Sequence, residues 1–206
     1  MNNIANTQQN VFFSIDQEAA AKAGGSDFIN EGGAYSGIIT KALCVQSGKK
    51  RTDGIELSFE DKTGLKVNYV TLYYRQQDGS IVKSGHNSIN ALMAIMGIQN
   101  LTYTQDNGVT ICPELVGKPV GLCLQKGFYT KQDGADAYKF DLRFPFDPAT
   151  NLTVKEKSQN LPAKSVDLFV SSYKDKDERQ SNQQQSQNQS QGNGGYANEQ
   201  EQYGNF

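Results

Sequence analysis

The chain lacks most of the residues and patterns that mark metalloproteins, secreted proteins and membrane proteins. Its 206 residues include one histidine, His86, and three cysteines that form no C-x-x-C pair. This set cannot make a zinc cluster, and sparse, odd cysteines indicate reduced thiols in a cytosol. No apolar run reaches the roughly 20 residues of a membrane helix, and the pattern of a signal peptide is missing. We expect a cytoplasmic protein with no membrane contact, no metal and no cofactor.

Catalytic signatures are missing as well. Neither Gly48-Lys49 nor Gly117-Lys118 is a phosphate loop, because each lacks the glycine five positions upstream and the Ser or Thr after the lysine. His86 has no nucleophile partner in the sequence, and no pair of carboxylates stands out. The sequence therefore predicts a protein that is not an enzyme. An activity that is lost when His86 is mutated would reverse this expectation.

A strong net charge is also absent. The formal charge is −2, but it is unevenly distributed. Residues 175–206 contain five acids and two bases, which leaves 17 acids and 18 bases upstream. The body of the chain is therefore near +1 and its end near −3. These values exclude a globally basic nucleic-acid binder and still allow a basic groove on a near-neutral body.

Hydrophobic periodicity predicts five strands and one helix. Strands are expected at residues 35–46, 54–61, 65–75, 119–126 and 138–146, where β-forming residues are frequent or apolar and polar residues alternate. Ile89, Leu92, Met93 and Met96 form one apolar stripe at helical spacing. Ser84 is the predicted cap of this helix and Gly97 its stop.

Three strands, a helix and two strands are the element order of an OB-type Greek-key barrel with the helix between strands 3 and 4. We expect this mainly β domain at 28–148, preceded by an N-terminal arm with a short helix at 1–27. A linker with a short helix after Pro162 would occupy 149–178. Residues 179–206 are rich in Gln, Asn, Ser and Gly, so we expect a disordered tail.

The predicted barrel brings basic and aromatic residues onto one surface. An OB barrel binds on strands 2 and 3, between the loop joining strands 1 and 2 and the loop joining strands 4 and 5. Single-strand binding needs cations for phosphates and flat rings for bases. The predicted DNA-binding residues, from the two loops (47–53 and 127–137) and the outward faces of strands 3 and 5, are Lys49, Lys50, Arg51, Tyr69, Tyr73, Arg75, Lys126, Phe128, Tyr129, Lys131, Lys139 and Arg143.

Five stretches of the chain also resemble a known family. FINEGGAYSG (28–37), GIELSFE (54–60), YVTLYY (69–74), INALMAIMG (89–97) and PELVGKPVGL (113–122) are similar to tailed-bacteriophage single-stranded-DNA-binding proteins. The resemblance implies an OB-fold, sequence-independent binding of single-stranded DNA during phage replication or recombination, and an infected bacterial host cell as the location. It covers a little over half of the chain.

The end of the chain is similar to the tail of bacterial single-stranded-DNA-binding proteins, which ends in a phenylalanine. Phe206 matches that residue, although Tyr-Gly-Asn precedes it where that family has acids and proline. The similarity implies that Phe206 binds replication or recombination proteins. We also expect a homo-oligomer. The alternatives are an OB-fold protein–protein adaptor in a phage replication or recombination complex and a virion or scaffold component.

Overall fold

A computed structural model describes residues 13–17, 27–48 and 50–179. Most of the predicted N-terminal helix lies outside these ranges. Lys49, the predicted tail from 180 onward and its partner-binding residue Phe206 also lie outside them.

Eight strands within the described residues form one open sheet, with few helices. The prediction of a mainly β protein is confirmed. The strands are β1 (Gly33–Gln46), β2 (Asp53–Asp61), β3 (Lys66–Arg75), β4 (Thr104–Asp106), β5 (Val109–Ile111), β6 (Pro119–Thr130), β7 (Asp136–Phe146) and β8 (Lys176–Asp177). The helices are α1 (Lys83–Met96), α2 (Val154–Ser158) and α3 (Ser165–Ser172), with a 3-10 turn at Pro113–Leu115.

The long strands follow the order β3–β2–β1–β6–β7, and every neighbouring pair is antiparallel. One edge of β1 pairs with β2. The other edge pairs with β6 through residues 33–38 and with β5 at Leu43. β7 lies close to β3, but no hydrogen-bonded ladder joins these two strands in the part of the chain that is described. The sheet is therefore open between β3 and β7.

The predicted strands match β1, β2 and β3 closely, but two predictions are wrong. The sequence predicts no strand between the helix and residue 119, where the β4–β5 hairpin lies. The long loop expected at 127–137 is a tight turn, because β6 continues to Thr130 and pairs with β7 from Asp136 onward. This outer half of the hairpin is held by its own ladder, so it does not need the strict apolar alternation that marks a strand in sequence.

The core lies between the sheet and α1. Ile55, Leu57 and Phe59 of β2 are buried in it, as their alternation predicts, and α1 adds Ile89 and Leu92. Gly97 ends α1 in the left-handed conformation, with a φ of 65°, and the N–H of the next residue donates to the carbonyl of Met93 at 2.8 Å. The predicted cap is wrong: α1 begins at Lys83, Ser84 lies inside it, and its N-cap makes no side-chain hydrogen bond.

A second apolar cluster covers the other face of β6. Cys123 and Phe146 pack there with Val166 of α3, and the rings of Phe144 and Phe169 meet edge to face with centroids 5.7 Å apart. The short helix predicted after Pro162 is thus present as α3. Strict alternation along 138–146 would place Phe144 on the face of Phe140. A bulge in β7 shifts the register between Leu142 and Phe144, so Phe144 packs in this second cluster while Phe140 stays in the main core. The first half of β6 is buried on both faces, because the two clusters cover its opposite sides.

The preceding helix, α2, is anchored by a buried carboxylate. Glu156 is 5% exposed and forms a capping box with Thr153. Its other oxygen accepts hydrogen bonds from the backbone N–H groups of Lys164 and Ser165, at 2.9 and 2.8 Å. Burial alone would raise the pKa of Glu156, but these hydrogen bonds outweigh it and lower the pKa to about 2. The carboxylate therefore ties α2 to the start of α3.

Candidate nucleic-acid interface

A bulge in β3 projects Tyr69 out of the sheet. The register pairs Leu57 with Val70 and Phe59 with Val67, so two residues of β3, Asn68 and Tyr69, lie opposite one residue of β2. Both valines remain buried, whereas Tyr69 is 76% exposed with a φ of 64°. This left-handed conformation costs a residue with a Cβ about 1–2 kcal/mol. Such strain is often found at functional sites, which makes Tyr69 a candidate.

Tyr69 stands at the rim of a groove of about 450 Å³ that follows the opening between β3 and β7. We call it the seam groove. Its aromatic side chains come from β3, β6, β7 and the segment before β1, and its cations from β3 and β7. The lining comprises Phe28, Tyr69, Tyr129, Tyr138 and Phe140, the lysines Lys66 and Lys139, and Ile29, Val67 and Asn68.

One end of the seam groove is closed by the segment before β1. The N–H of Ile29 donates to the carbonyl of Lys66 at 2.8 Å, and the N–H of Lys66 donates to the carbonyl of Asp27 at 2.9 Å. These bonds place Phe28 beside the start of β3, where it is 49% exposed. The edge of β3 is thus covered up to Lys66, and the opening toward β7 begins next to Tyr69.

Three of the predicted residues, Tyr69, Tyr129 and Lys139, meet in the seam groove. Sequence reasoning missed Phe28, Lys66 and Tyr138. The alternation of β7 places Tyr138 on the core face with Phe140, and the two rings do meet edge to face at 5.8 Å. Tyr138 is nevertheless 47% exposed.

Two other predicted residues, Lys126 and Phe128, interact with each other beside the seam groove. The ammonium of Lys126 lies 5.1 Å from the ring centroid of Phe128 and 4.7 Å from that of Tyr138, and it donates to the carbonyl of Asn30 at 2.6 Å. The guanidinium of Arg179 also lies 5.0 Å from the Phe128 centroid. Cations of the protein itself thus form cation–π contacts with the Phe128 ring, which leaves less of it open to a base.

The segment 173–179, which we call the strap, runs along the β6–β7 hairpin. Its β8 pairs in parallel with Gly127 and Phe128, and the N–H of Glu178 donates to the carbonyl of Phe128 at 2.9 Å. The Tyr173 ring occupies the space over Gly32, where a Cβ would lie 2.1 Å from its atoms. These contacts place a charged segment directly next to the seam groove.

The strap partly neutralises the cations of the groove. The ammonium of Lys139 lies 3.5 Å from a carboxylate oxygen of Glu178 and 3.7 Å from one of Asp141. A hydrogen bond from Lys176 and the nearby charge of Lys139 lower the pKa of Glu178. Arg179 pairs with Asp136, at the start of β7, at 2.9 Å. A phosphate entering the groove would compete with these carboxylates for Lys139.

The remaining predicted cations do not meet in the seam groove. Arg75 lies at the far end of β3, six residues from Tyr69, or about 20 Å along the strand. It pairs with Asp53 at 3.0 Å, and Arg51 donates to the side chain of Gln46 at 3.3 Å. Lys50, next to Arg51 in the β1–β2 turn, is exposed. Lys131 in the β6–β7 turn and Arg143 on β7 are also exposed.

Tyr73 is held on the neighbouring strand. Its ring covers Gly54, its register partner, so closely that a Cβ on Gly54 would lie 2.9 Å from the ring. Tyr73 is 38% exposed, against 76% for Tyr69. Only one face of the Tyr73 ring can therefore be open to a base.

The outer face between the two ends of β3 carries acids. Glu56 and Glu60 of β2 are both partly exposed there, and Glu60 lies 4.0 Å from the ammonium of Lys66. A strand of phosphates laid across the outer face of β2 and β3 would meet these carboxylates at close range. The charge distribution consequently favours the seam groove over the centre of β2 and β3, where the interface was predicted.

No protein-family model matches the chain, and none of the curated proteins matches its sequence. The described helices include none with the length and apolar character needed to span a membrane. Within the same residues, no three potential ligand side chains of His, Cys, Asp or Glu lie close enough to share a metal ion. The geometry of the seam groove is therefore what a functional proposal rests on.

Proposed function

We propose that the chain binds single-stranded DNA without sequence preference, with the seam groove as its binding site. The observation that carries the proposal is Tyr69, an exposed ring on a strained backbone at the rim of a groove that also holds lysines. Base–aromatic stacking contributes roughly 1–3 kcal/mol per base and works for every base, since each has a π-face. Tyr69 and Tyr129 offer rings for stacking, and Tyr138 offers the part of its ring that Lys126 does not cover.

The strand order supports an OB-type barrel left open at the groove. The order β3–β2–β1–β6–β7, with α1 after β3 and with β7 beside β3, is the one expected for that fold. On this assignment β4, β5 and β8 are additions to a five-stranded core. The assignment agrees with the resemblance to phage single-stranded-DNA-binding proteins, and a role in replication or recombination in an infected bacterium belongs to the same proposal.

Charge neutralisation sets the expected strength of the salt dependence. Lys66 and Lys139 line the groove and Lys126 lies beside it. Three phosphate contacts to a single strand give a slope of log K against log salt of about −2. The body of the chain is near neutral, so long-range attraction adds little. We therefore expect modest affinity that depends on stacking more than on charge.

The test is fluorescence anisotropy of a labelled oligo-dT, titrated with the full chain across a salt series. Binding that weakens with a slope near −2 and resists competition by duplex DNA would support the proposal. Competition by single-stranded RNA would show whether the groove distinguishes the two sugars. Lys66→Gln, which removes a groove lysine, should weaken binding, whereas Lys155→Gln, which removes an exposed lysine of α2, should not. No binding at low salt would refute the proposal.

A protein–protein adaptor is the second candidate. It is favoured by the edge of β3 toward β7, which has no strand partner between Lys66 and Tyr74 among the described residues, and by the facing edge of β7. An extended peptide could add to either edge as a strand, with its side chains in the groove. Because this function needs backbone pairing and not stacking, replacement of Tyr69 should leave it intact. Failure of oligo-dT to bind, together with capture of an extended peptide by the folded protein, would favour this second function.

A further inference from the structure

Two cysteines face each other in a second pocket, remote from the seam groove. This pocket, of about 340 Å³, lies between β1, α1 and the segment after Gly97. Its walls are mostly apolar, and Tyr74, Met93 and Leu101 line it beside Cys44 and Cys112. Neither the stacking groove nor its cations involve these thiols.

The register of β1 and β5 brings the two thiols together. Leu43 pairs with Ile111, and the N–H of Cys112 donates to the carbonyl of Ala42 at 3.0 Å. Residues 42 and 44 alternate with Leu43, so the side chains of Cys44 and Cys112 point to the same side of the strands. Their Sγ atoms are 3.6 Å apart.

The two thiols differ in access. Cys44 is half-buried and also lines the neighbouring surface groove with Gln46 and Arg75, so small solutes can reach it. Cys112 is 4% exposed. Burial, followed by its hydrogen bond with Cys44, raises the pKa of Cys112 to about 12. Cys44 is therefore the thiol that a dissolved oxidant can reach, and Cys112 is its buried partner.

Closing the gap needs only a small movement. A disulfide requires an S–S distance of about 2.05 Å, so the sulfurs must approach each other by roughly 1.5 Å. Cys112 directly follows β5, which is three residues long and pairs with β1 at one position only. The short β4–β5 hairpin can shift without disturbing the long ladders of β1 with β2 and β6.

We propose that Cys44 and Cys112 are an oxidisable pair that forms a reversible intramolecular disulfide with hydrogen peroxide as the oxidant. The Cys44 thiol is oxidised to a sulfenic acid, while the peroxide is reduced and one water leaves. The Cys112 sulfur then attacks the sulfenic sulfur, the S–S bond forms, and a second water carries away the hydroxyl and the thiol proton. A dithiol reductant restores both thiols by exchange and is itself oxidised to its cyclic disulfide.

The cross-link would join residues 68 positions apart. Closing a loop of this length constrains the unfolded chain strongly. The oxidised protein should therefore melt about 5–10 °C higher than the reduced protein, because each kcal/mol shifts Tm by a few degrees in a chain of this size.

The test is a thiol count on the full chain in denaturant after treatment with peroxide. The reduced chain has three thiols, and the proposal expects one, Cys123, after oxidation and three again after dithiothreitol. Cys123→Ser should fall to none, and peptide mapping of that variant should show Cys44 joined to Cys112 within one chain. Cys44→Ser should keep both remaining thiols.

Three results would overturn the proposal. The first is a chain that keeps three thiols under peroxide. The second is Cys44 oxidised to a sulfinic acid while Cys112 remains a thiol. The third is a disulfide that joins two chains, which a non-reducing gel would reveal as a dimer.

Discussion

Tyr69 offers a way to separate the stability of the bulge from its proposed role in stacking. Replacement by alanine removes the ring but keeps a Cβ on a backbone with a φ of 64°. Replacement by glycine removes the ring and the steric cost of that conformation together. The two variants thus lose the same aromatic group and differ in backbone strain and in the freedom of the unfolded chain.

The structure sets the expected magnitudes. Relief of the left-handed conformation favours the glycine variant by about 1–2 kcal/mol, and the greater freedom of glycine in the unfolded chain offsets about 0.4–1 kcal/mol of this. Tyr69→Gly should therefore be more stable than Tyr69→Ala by about 0.5–1 kcal/mol. Both variants should bind oligo-dT about 5- to 150-fold more weakly than the wild type, the loss expected for one stacked base.

Urea unfolding and fluorescence anisotropy on the same three proteins measure both quantities. Tyr103→Ala is the matched control, because Tyr103 is 75% exposed but lies outside the seam groove. Its affinity should equal that of the wild type. A glycine variant less stable than the alanine variant by about 0.4–1 kcal/mol would show that the bulge carries no strain, because only the freedom of glycine in the unfolded chain would then separate the two. Unchanged affinity in both folded variants would remove Tyr69 from the binding site.

Three further outcomes are expected. Glu178→Gln removes a carboxylate 3.5 Å from Lys139. It should tighten oligo-dT binding up to about fivefold at low salt, as for an exposed ion pair of about 0–1 kcal/mol. Weaker binding would contradict the idea that Glu178 competes with phosphate for Lys139. Gly121→Ala places a Cβ 2.3 Å from the Phe146 ring and should cost about 1–3 kcal/mol in urea unfolding without changing affinity. In the folded protein the pKa of Glu156 is lowered to about 2. Its contribution to the free energy of unfolding, on the order of 2–3 kcal/mol, should be full above about pH 4.5 and decline as the pH falls toward 2. Glu156→Gln should lack this part of the decline in acid.

Local patterns were sufficient to predict much of the framework. The alternation in β2 and the apolar stripe of α1 each report burial against one face, which is a property of consecutive residues. Gly97 was identifiable as the helix stop because a left-handed residue is needed there. For these elements the sequence neighbourhood contains the physical cause.

The groove depends on contacts that no local pattern reports. The bulge at Tyr69 exists because Val67 and Val70 are both buried against β2, and no turn residue marks the place. The strap reaches Lys139 through a parallel pairing between segments almost 50 residues apart in sequence. Ion pairs such as Lys139 with Glu178 therefore change the local charge in a way that a count of bases cannot anticipate.

The placement of charge in the fold also determines what kind of ligand the seam groove suits. A ligand that bound mainly through phosphates would have to displace Glu178 and Asp141 from Lys139 and would gain few unpaired cations in return. A ligand with flat rings meets Tyr69 and Tyr138 at sites that are largely or half exposed. A single strand satisfies both conditions, because its bases are free to stack while its phosphates compete for the lysines. Duplex DNA keeps its bases stacked inside the helix, so it can offer the groove only the weaker of these two interactions.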